Sequence, residues 1–178
     1  MNAGFVKLIP TYLLVGLLWW LHWLPLPVLR WLGRGLGRVL YAFGRSRRKV
    51  ALTNLRLCFP DMTEAEREDL ARRHFKAFAC AVLDRTLGWW APSERLERLM
   101  RIHGVEHLSD PDGRPVIMLS PHFVGLDAGG TMVSMHVVGC SVFSNQSNPV
   151  LNKLLYDGRM RFNPAVLLSR QDGMRKIV

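Results

Sequence analysis

Residues 8–29, LIPTYLLVGLLWWLHWLPLPVL, form a run of 22 residues without Lys, Arg, Asp or Glu. A helix needs about 20 apolar residues to cross a bilayer, so this run is long enough to span one. Trp19, Trp20, Trp23 and Trp31 gather toward its C-terminal end, as aromatic side chains do at a membrane–water interface. Pro25 and Pro27 end or kink the helix before Arg30. A cleavable signal peptide is disfavoured, because the run closes on Trp, Leu and Pro followed by arginines rather than on a small-residue cleavage site. Two readings stand: a transmembrane anchor over residues 1–30, and a helix lying in the headgroup layer. Both put this end of the chain at a membrane.

Charge sharpens that reading. The formal charge is +10, and residues 1–60 carry nine Lys/Arg with no Asp or Glu, whereas residues 61–178 carry fifteen against fourteen. The excess therefore sits at one end, as expected for a surface facing anions. Lys7 stands alone before the apolar run, while Arg30, Arg34, Arg38, Arg45, Arg47, Arg48 and Lys49 follow it, so the positive-inside rule places the remainder on the cytoplasmic side. The stretch RWLGRGLGRVLYAFGRSRRK mixes apolar and basic residues at near-helical spacing. It reads either as a helix on anionic headgroups or as a solvated basic face. Cys58, Cys80 and Cys140 are odd in number and widely separated, which argues for small buried hydrophobes rather than a disulfide framework or a zinc site.

Past residue 60 the chain is punctuated clearly. Pro60 ends one element, and Thr63 with Glu66 fits a capping box. Ala71, Phe75, Phe78 and Val82 follow at helical spacing, predicting a helix over 63–90 with a break near Gly88. PSERLERLM starts another helix, capped by Ser93, and DPDGRP (110–115) is a turn. The period then changes. VIMLS (116–120) reads as a buried strand, 125–137 as a helix, CSVFS (140–144) as a strand, 150–161 as a helix after Asn148-Pro149, AVLLS (165–169) as a strand, and RQDGMRKIV as the start of a helix. Strands alternating with helices predict an α/β fold with a parallel sheet.

Ligands in open α/β sheets bind beyond the carboxyl ends of strands. His122 falls two residues after the first expected strand, and Asp127 lies in the first turn of the helix that follows. Gly125, Gly129 and Gly130 leave room for a substrate or a neighbouring element. A carboxylate bonded to one imidazole nitrogen fixes the tautomer and frees the other nitrogen to take a proton from a hydroxyl. That is the base half of an acyl-transfer site whose nucleophile is the substrate's own hydroxyl. The same spacing also fits a strand-end histidine bonded to backbone and an aspartate capping a helix. No G-x-S-x-G string occurs, which sets aside a serine-hydrolase elbow. His22, His74, His103, His107 and His136 show no metal-ligand spacing.

HFVGLD (122–127), with NLRLCFPDMTEAERE at 54–68, the Trp-rich N-terminus, GVEHL at 104–108, NP at 148–149 and GRMRFN at 158–163, resembles the late acyltransferases of lipid A biosynthesis. These are the lauroyl/myristoyl transferases of the lysophospholipid acyltransferase superfamily, and the resemblance runs from about residue 10 to the end. It implies an α/β fold: an N-terminal membrane helix (1–30), then helices and a partial, mostly parallel sheet of the glycerolipid acyltransferase type (31–178). It implies an enzyme of the bacterial inner membrane, working on the cytoplasmic face. Such an enzyme moves a fatty acyl chain from acyl carrier protein, or less often coenzyme A, to a hydroxyl of a lipid A precursor. His122 would be the base, Asp127 its orienting partner, and Arg159 a guanidinium for phosphate or the developing oxyanion, with Arg161 a neighbouring candidate and Gly125 beside the substrate. No cofactor, metal or nucleic acid is implied. The donor carrier, an anionic lipid acceptor and the membrane are the partners. Acyl transfer to another lipid, a lysophospholipid or a phosphatidyl-mannoside, is the alternative, and an inactive membrane-bound fragment is a third. Two departures stand out. FSNQSNP (143–149) is uncharged where the family carries basic residues, and the family is normally well over a hundred residues longer, so a C-terminally truncated chain is expected.

Overall fold

The computed structural model describes residues 3–163 and 165–172. The chain divides into two compact units: Leu24–Asp84, and Met1–Trp23 together with Arg85–Val178.

The uncharged run does not form one helix. α1 (Ala3–Leu21) closes at a turn, and α2 (Leu26–Phe43) begins after Pro25. The cause is local. His22 is buried, and its ring Nδ1 contacts the Trp19 carbonyl oxygen at the end of α1. The Pro25 backbone is extended, and its carbonyl accepts the first bonds of α2, from Val28 N–H at 3.0 Å and Leu29 N–H at 3.1 Å. Proline supplies no N–H to carry the α1 ladder onward, so the run splits in two. No helix among the described residues is long and apolar enough to cross a membrane, which corrects the single spanning helix expected over 1–30.

In the unit Leu24–Asp84, α2, α3 (Arg45–Cys58) and most of α4 (Glu64–Trp90) pack together. The buried positions of α2 are Leu29, Gly33, Gly37 and Tyr41, a four-residue repeat on one face. The glycines let two backbones touch: a Cβ on Gly33 would lie 2.8 Å from the Cys80 Cα, and one on Gly37 2.5 Å from the Lys76 Cα. Below that crossing Tyr41 stacks edge-on against Phe75, centroids 5.4 Å apart, and with Ala71 they form a core that Ala51, Leu52 and Leu55 of α3 cover.

The buried face of α4 meets expectation at Ala71 and Phe75 and shifts by one position beyond them. Ala71, Phe75, Ala79, Leu83 and Leu87 are buried, while Phe78 is exposed and Val82 only partly covered. Small residues at 79 and 80 admit the α2 backbone, and a Phe in their place would not. The predicted capping box is present: Glu66 accepts from the Thr63 N–H at 2.7 Å, and the Thr63 hydroxyl oxygen accepts from the Glu66 N–H at 3.3 Å. Ahead of it, buried Arg67 donates to the carbonyls of Phe59 and Pro60. It thereby satisfies the backbone that Pro60 leaves unpaired after α3. The NLRLCFPDMTEAER signature is thus an α3–α4 corner. Of the cysteines, only Cys80 is buried; Cys58 and Cys140 are exposed, against expectation.

In the other unit, α4 runs to Trp90 without a break at Gly88, where the missing Cβ accommodates the Thr131 hydroxyl instead. α5 spans Ser93–Leu99 and makes no side-chain capping bond, so Ser93 is its first residue rather than its cap. The DPDGRP turn is present: Gly113 takes φ 73°, and its N–H donates to the Asp110 carbonyl at 3.0 Å. After α6 (Leu126–His136), strands β1 (Cys140–Phe143) and β2 (Val166–Ser169) pair in parallel, Cys140 opposite Val166 and Phe143 opposite Ser169, with α7 (Pro149–Arg159) between them in sequence. Asn148 caps α7 by accepting from the Val150 and Leu151 N–H groups, with Pro149 at the first turn. It also ties α7 to α1 through the Thr11 hydroxyl at 2.9 Å.

The expected first strand is missing. VIMLS (116–120) has no regular structure, and Ile117 and Leu119 are each 95% exposed. β1 and β2 pair with each other, and no ladder among the described residues reaches 116–120. Pro115 and Pro121 bracket the segment and remove donors at both ends. The helix expected from RQDGMRKIV falls largely outside the described residues; Arg170–Asp172 form a single 3-10 turn.

Candidate functional site

The chain passes from the open 116–120 segment through Pro121 and His122 into a turn, and Gly125 then opens α6. The Leu126 N–H bonds the Phe123 carbonyl at 3.1 Å, and the Gly129 N–H bonds the Gly125 carbonyl at 3.0 Å. This places Asp127 in the first turn of α6, where a carboxylate suits the helix N-terminus. The His122 side chain is exposed, ahead of that turn. No hydrogen bond joins His122 to Asp127.

Asp127 has another partner. Arg85 Nε donates to Asp127 Oδ2 at 2.6 Å, and Arg85 Nη2 reaches the same oxygen. Both contacts fall on Oδ2, so the guanidinium leaves Oδ1 free of hydrogen bonds among the described residues. The Thr131 hydroxyl donates to the Asp127 carbonyl at 2.9 Å and steadies the same turn. Sequence reasoning missed Arg85. Its signal was available: Asp84 and Arg85 are a charged pair inside the otherwise apolar AVLDRTLGWW. Each of these charges needs a partner. Asp84 finds Arg30 at 3.0 Å, and Arg85 finds Asp127.

Gly125, Gly129 and Gly130 are open on the side where a Cβ would project, with nothing within 4 Å. A side chain added at any of the three would project into open space.

The GRMRFN segment sorts into different tasks. Gly158 sits so close to the Trp89 indole that a Cβ would fall 2.3 Å from Cδ1. Arg161 donates to the carbonyls of Gly88 at 2.9 Å and Ala91, closing the end of α4. Its burial there pushes the guanidinium pKa down from its usual value. The Asn163 amide donates to the Ser134 carbonyl at 2.6 Å. Arg159 is different: it is exposed, lies 5.9 Å from the Phe143 ring centroid, and has no ion pair or hydrogen bond among the described residues. The structure therefore separates the two arginines, one committed to backbone and one available.

At the carboxyl ends of the strands, Asn145 donates to the buried Ser169 hydroxyl at 3.1 Å, and Ser169 in turn contacts Gln171. The uncharged FSNQSNP stretch thus works locally: Asn145 ties β1 to β2, the Gln146 N–H bonds the Asn152 side chain at 2.8 Å, and Asn148 caps α7. Among the described residues no three His, Cys, Asp or Glu side chains gather as a metal site.

Comparison with known proteins fits these motifs. The family described as bacterial lipid A biosynthesis acyltransferase matches residues 5–178. The chain is 33% identical over 164 residues to the lipid A biosynthesis lauroyltransferase of Escherichia coli strain K12, covering 91% of this chain and 53% of that protein. It is 29% identical to a lipid A biosynthesis acyltransferase of Haemophilus influenzae, over 86% of this chain and 53% of the relative. It is 33% identical to the lipid A biosynthesis myristoyltransferase of E. coli K12, over 85% of this chain and 46% of the relative. The chain thus spans about half the length of the curated relatives it matches. No solved structure matches it significantly. With a match over nearly all of its residues, the chain belongs to the bacterial lipid A biosynthesis acyltransferase family.

Proposed function

We propose that the chain carries the base-bearing part of an enzyme that moves a fatty acyl chain from a thioester donor, acyl carrier protein or coenzyme A, onto a hydroxyl of a lipid A precursor. Family membership combined with the His122-x4-Asp127 pair at the opening of α6 is the observation that carries this reading. Residues 31–178 would hold the chemistry, and residues 1–30 would contact the bacterial inner membrane from its cytoplasmic face.

The mechanism follows from what each group can do. The exposed His122 imidazole takes the proton of the acceptor hydroxyl. The oxygen attacks the thioester carbonyl, so a C–O bond forms. When the tetrahedral intermediate collapses, the C–S bond breaks and the imidazolium returns its proton to the leaving thiolate. Asp127 fits the orienting role because Arg85 occupies only Oδ2, leaving Oδ1 to accept from the second ring nitrogen once the 123–126 turn closes around substrate. Catalytic hydrogen bonds commonly tighten only in the loaded complex. Arg159 would meet an acceptor phosphate or the oxyanion; its guanidinium lies over the Phe143 ring and has no ion pair or hydrogen bond among the described residues.

The test is acyl transfer by purified protein, with labelled acyl carrier protein or acyl coenzyme A as donor and a lipid A precursor as acceptor. His122→Ala is expected to lose at least about 100-fold in kcat, the scale of general base catalysis. Turnover at the wild-type rate in that variant sinks the proposal. Transfer to a lysophospholipid but not to the lipid A precursor would redirect the acceptor.

A further inference from the structure

Where α2 crosses α4 at Gly33 and Gly37, the helices meet at backbone distance, and their basic flanks come together beside the crossing. Arg30 and Arg34 of α2 and Arg73 and Lys76 of α4 line an open cleft of about 350 Å³, floored by Ala77 and Cys80. Two of these four cations are paired with carboxylates: Arg30 with Asp84 at 3.0 Å, and Arg73 with Asp69 at 2.9 Å. Arg34 and Lys76 have no ion pair among the described residues. Close helix packing has therefore concentrated like charge, which costs stability unless an anion enters.

The rest of α2 says which anion. On the side away from the glycines, Val28, Trp31, Leu36, Val39 and Phe43 are exposed, Trp31 at 71% and Phe43 at 82%. A helix with an apolar outer face and a basic flank is built to lie in a lipid interface, with the arginines at phosphate level.

We propose that the Arg30–Arg34–Arg73–Lys76 cleft binds the phosphate of an anionic lipid headgroup while the outer apolar face of α2 lies in the membrane interface. This goes beyond the membrane location suggested above by assigning its contact surface. It is read by binding, not turnover, so it fails or stands separately from the acyl-transfer reading.

The test is sedimentation of the full chain with vesicles of phosphatidylcholine alone or containing phosphatidylglycerol. Arg34→Gln with Lys76→Gln should lower affinity for the anionic vesicles well beyond the roughly 30-fold loss that two basic residues give at any such surface. Binding to neutral vesicles should be unchanged. Arg45→Gln with Arg47→Gln removes equal charge outside the cleft and is expected to cost no more than that general factor, because those exposed groups sit in no cleft. Trp31→Ser with Phe43→Ser should weaken binding to both vesicle types. Equal losses for the two charge pairs would reduce the cleft to a diffuse field and overturn the proposal, as would an unaffected Arg34/Lys76 variant. Calorimetric binding of inorganic phosphate without preference for anionic vesicles would overturn the headgroup assignment.

Discussion

Arg159 and Arg161 stand two positions apart and do different physical work. Arg161 closes the last carbonyls of α4, so Arg161→Ala leaves buried acceptors unpaired and should cost about 2 kcal/mol of stability, read as a lower urea midpoint. Arg159→Ala touches no backbone and should leave that midpoint unchanged while lowering acyl transfer about 100-fold, on the scale of a lost oxyanion donor. A shared loss of stability in both variants would erase the distinction. From sequence, resemblance alone set Arg159 ahead of Arg161, and the helix-closing task of Arg161 was not legible, because only tertiary placement decides which one meets the end of another helix. The same limit applies to Asp127. Its place in the first turn of α6 was legible from Gly125 just before it, but its partner was not, since Arg85 lies 42 residues away on α4.

Elements were more legible than contacts. The α4 capping box, the Asn148-Pro149 start of α7 and the β1–α7–β2 alternation all rest on local rules, and all three formed. The single N-terminal helix and the 116–120 strand did not. In the first, α1 stops ahead of the prolines as read, but a second helix starts directly after Pro25. The second was read from apolarity, which signals burial only where a ladder exists to supply it. The α2 glycines give a paired prediction. Gly37→Ala would put a Cβ 2.5 Å from the Lys76 Cα, and overpacking against a backbone that cannot yield should cost about 1–3 kcal/mol. Gly35→Ala faces open space and should stabilise by roughly 0.5–1 kcal/mol through helix propensity. Thermal or urea melts of the two variants should move in opposite directions, and parallel shifts would contradict the crossing described.

Over the whole molecule, acid stability is set by carboxylates pulling in opposite senses. The Glu64, Glu66 and Glu68 carboxyls are held below their usual range, by the Arg56 guanidinium, the Thr63 backbone N–H and the Arg72 guanidinium respectively. Their contribution is present above the usual glutamate range and is lost as pH falls through the lowered values. Asp84 is opposite: burial raises its carboxyl, Arg30 lowers it by less, and its Oδ1 is buried without a hydrogen-bond partner among the described residues. Its contribution is present below the usual aspartate range and is lost as pH rises through the raised value. Asp84→Asn should therefore gain on wild type as pH climbs from strongly acid to neutral, measured as the difference in urea midpoint. A variant that loses ground over that climb would show that the Arg30 pair outweighs burial.

The bare aliphatic stretch between Pro115 and Pro121 bears on the chain's lifetime. Irregular, apolar and open, it offers a protease an accessible cleavage site and a chaperone a ready handle. Thermolysin is expected to nick the chain within 116–120 before it attacks α2 or α4, with fragments sized by mass spectrometry. In a cell, turnover of this polypeptide would then be governed less by how firmly its helices pack than by whatever shelters Ile117 and Leu119.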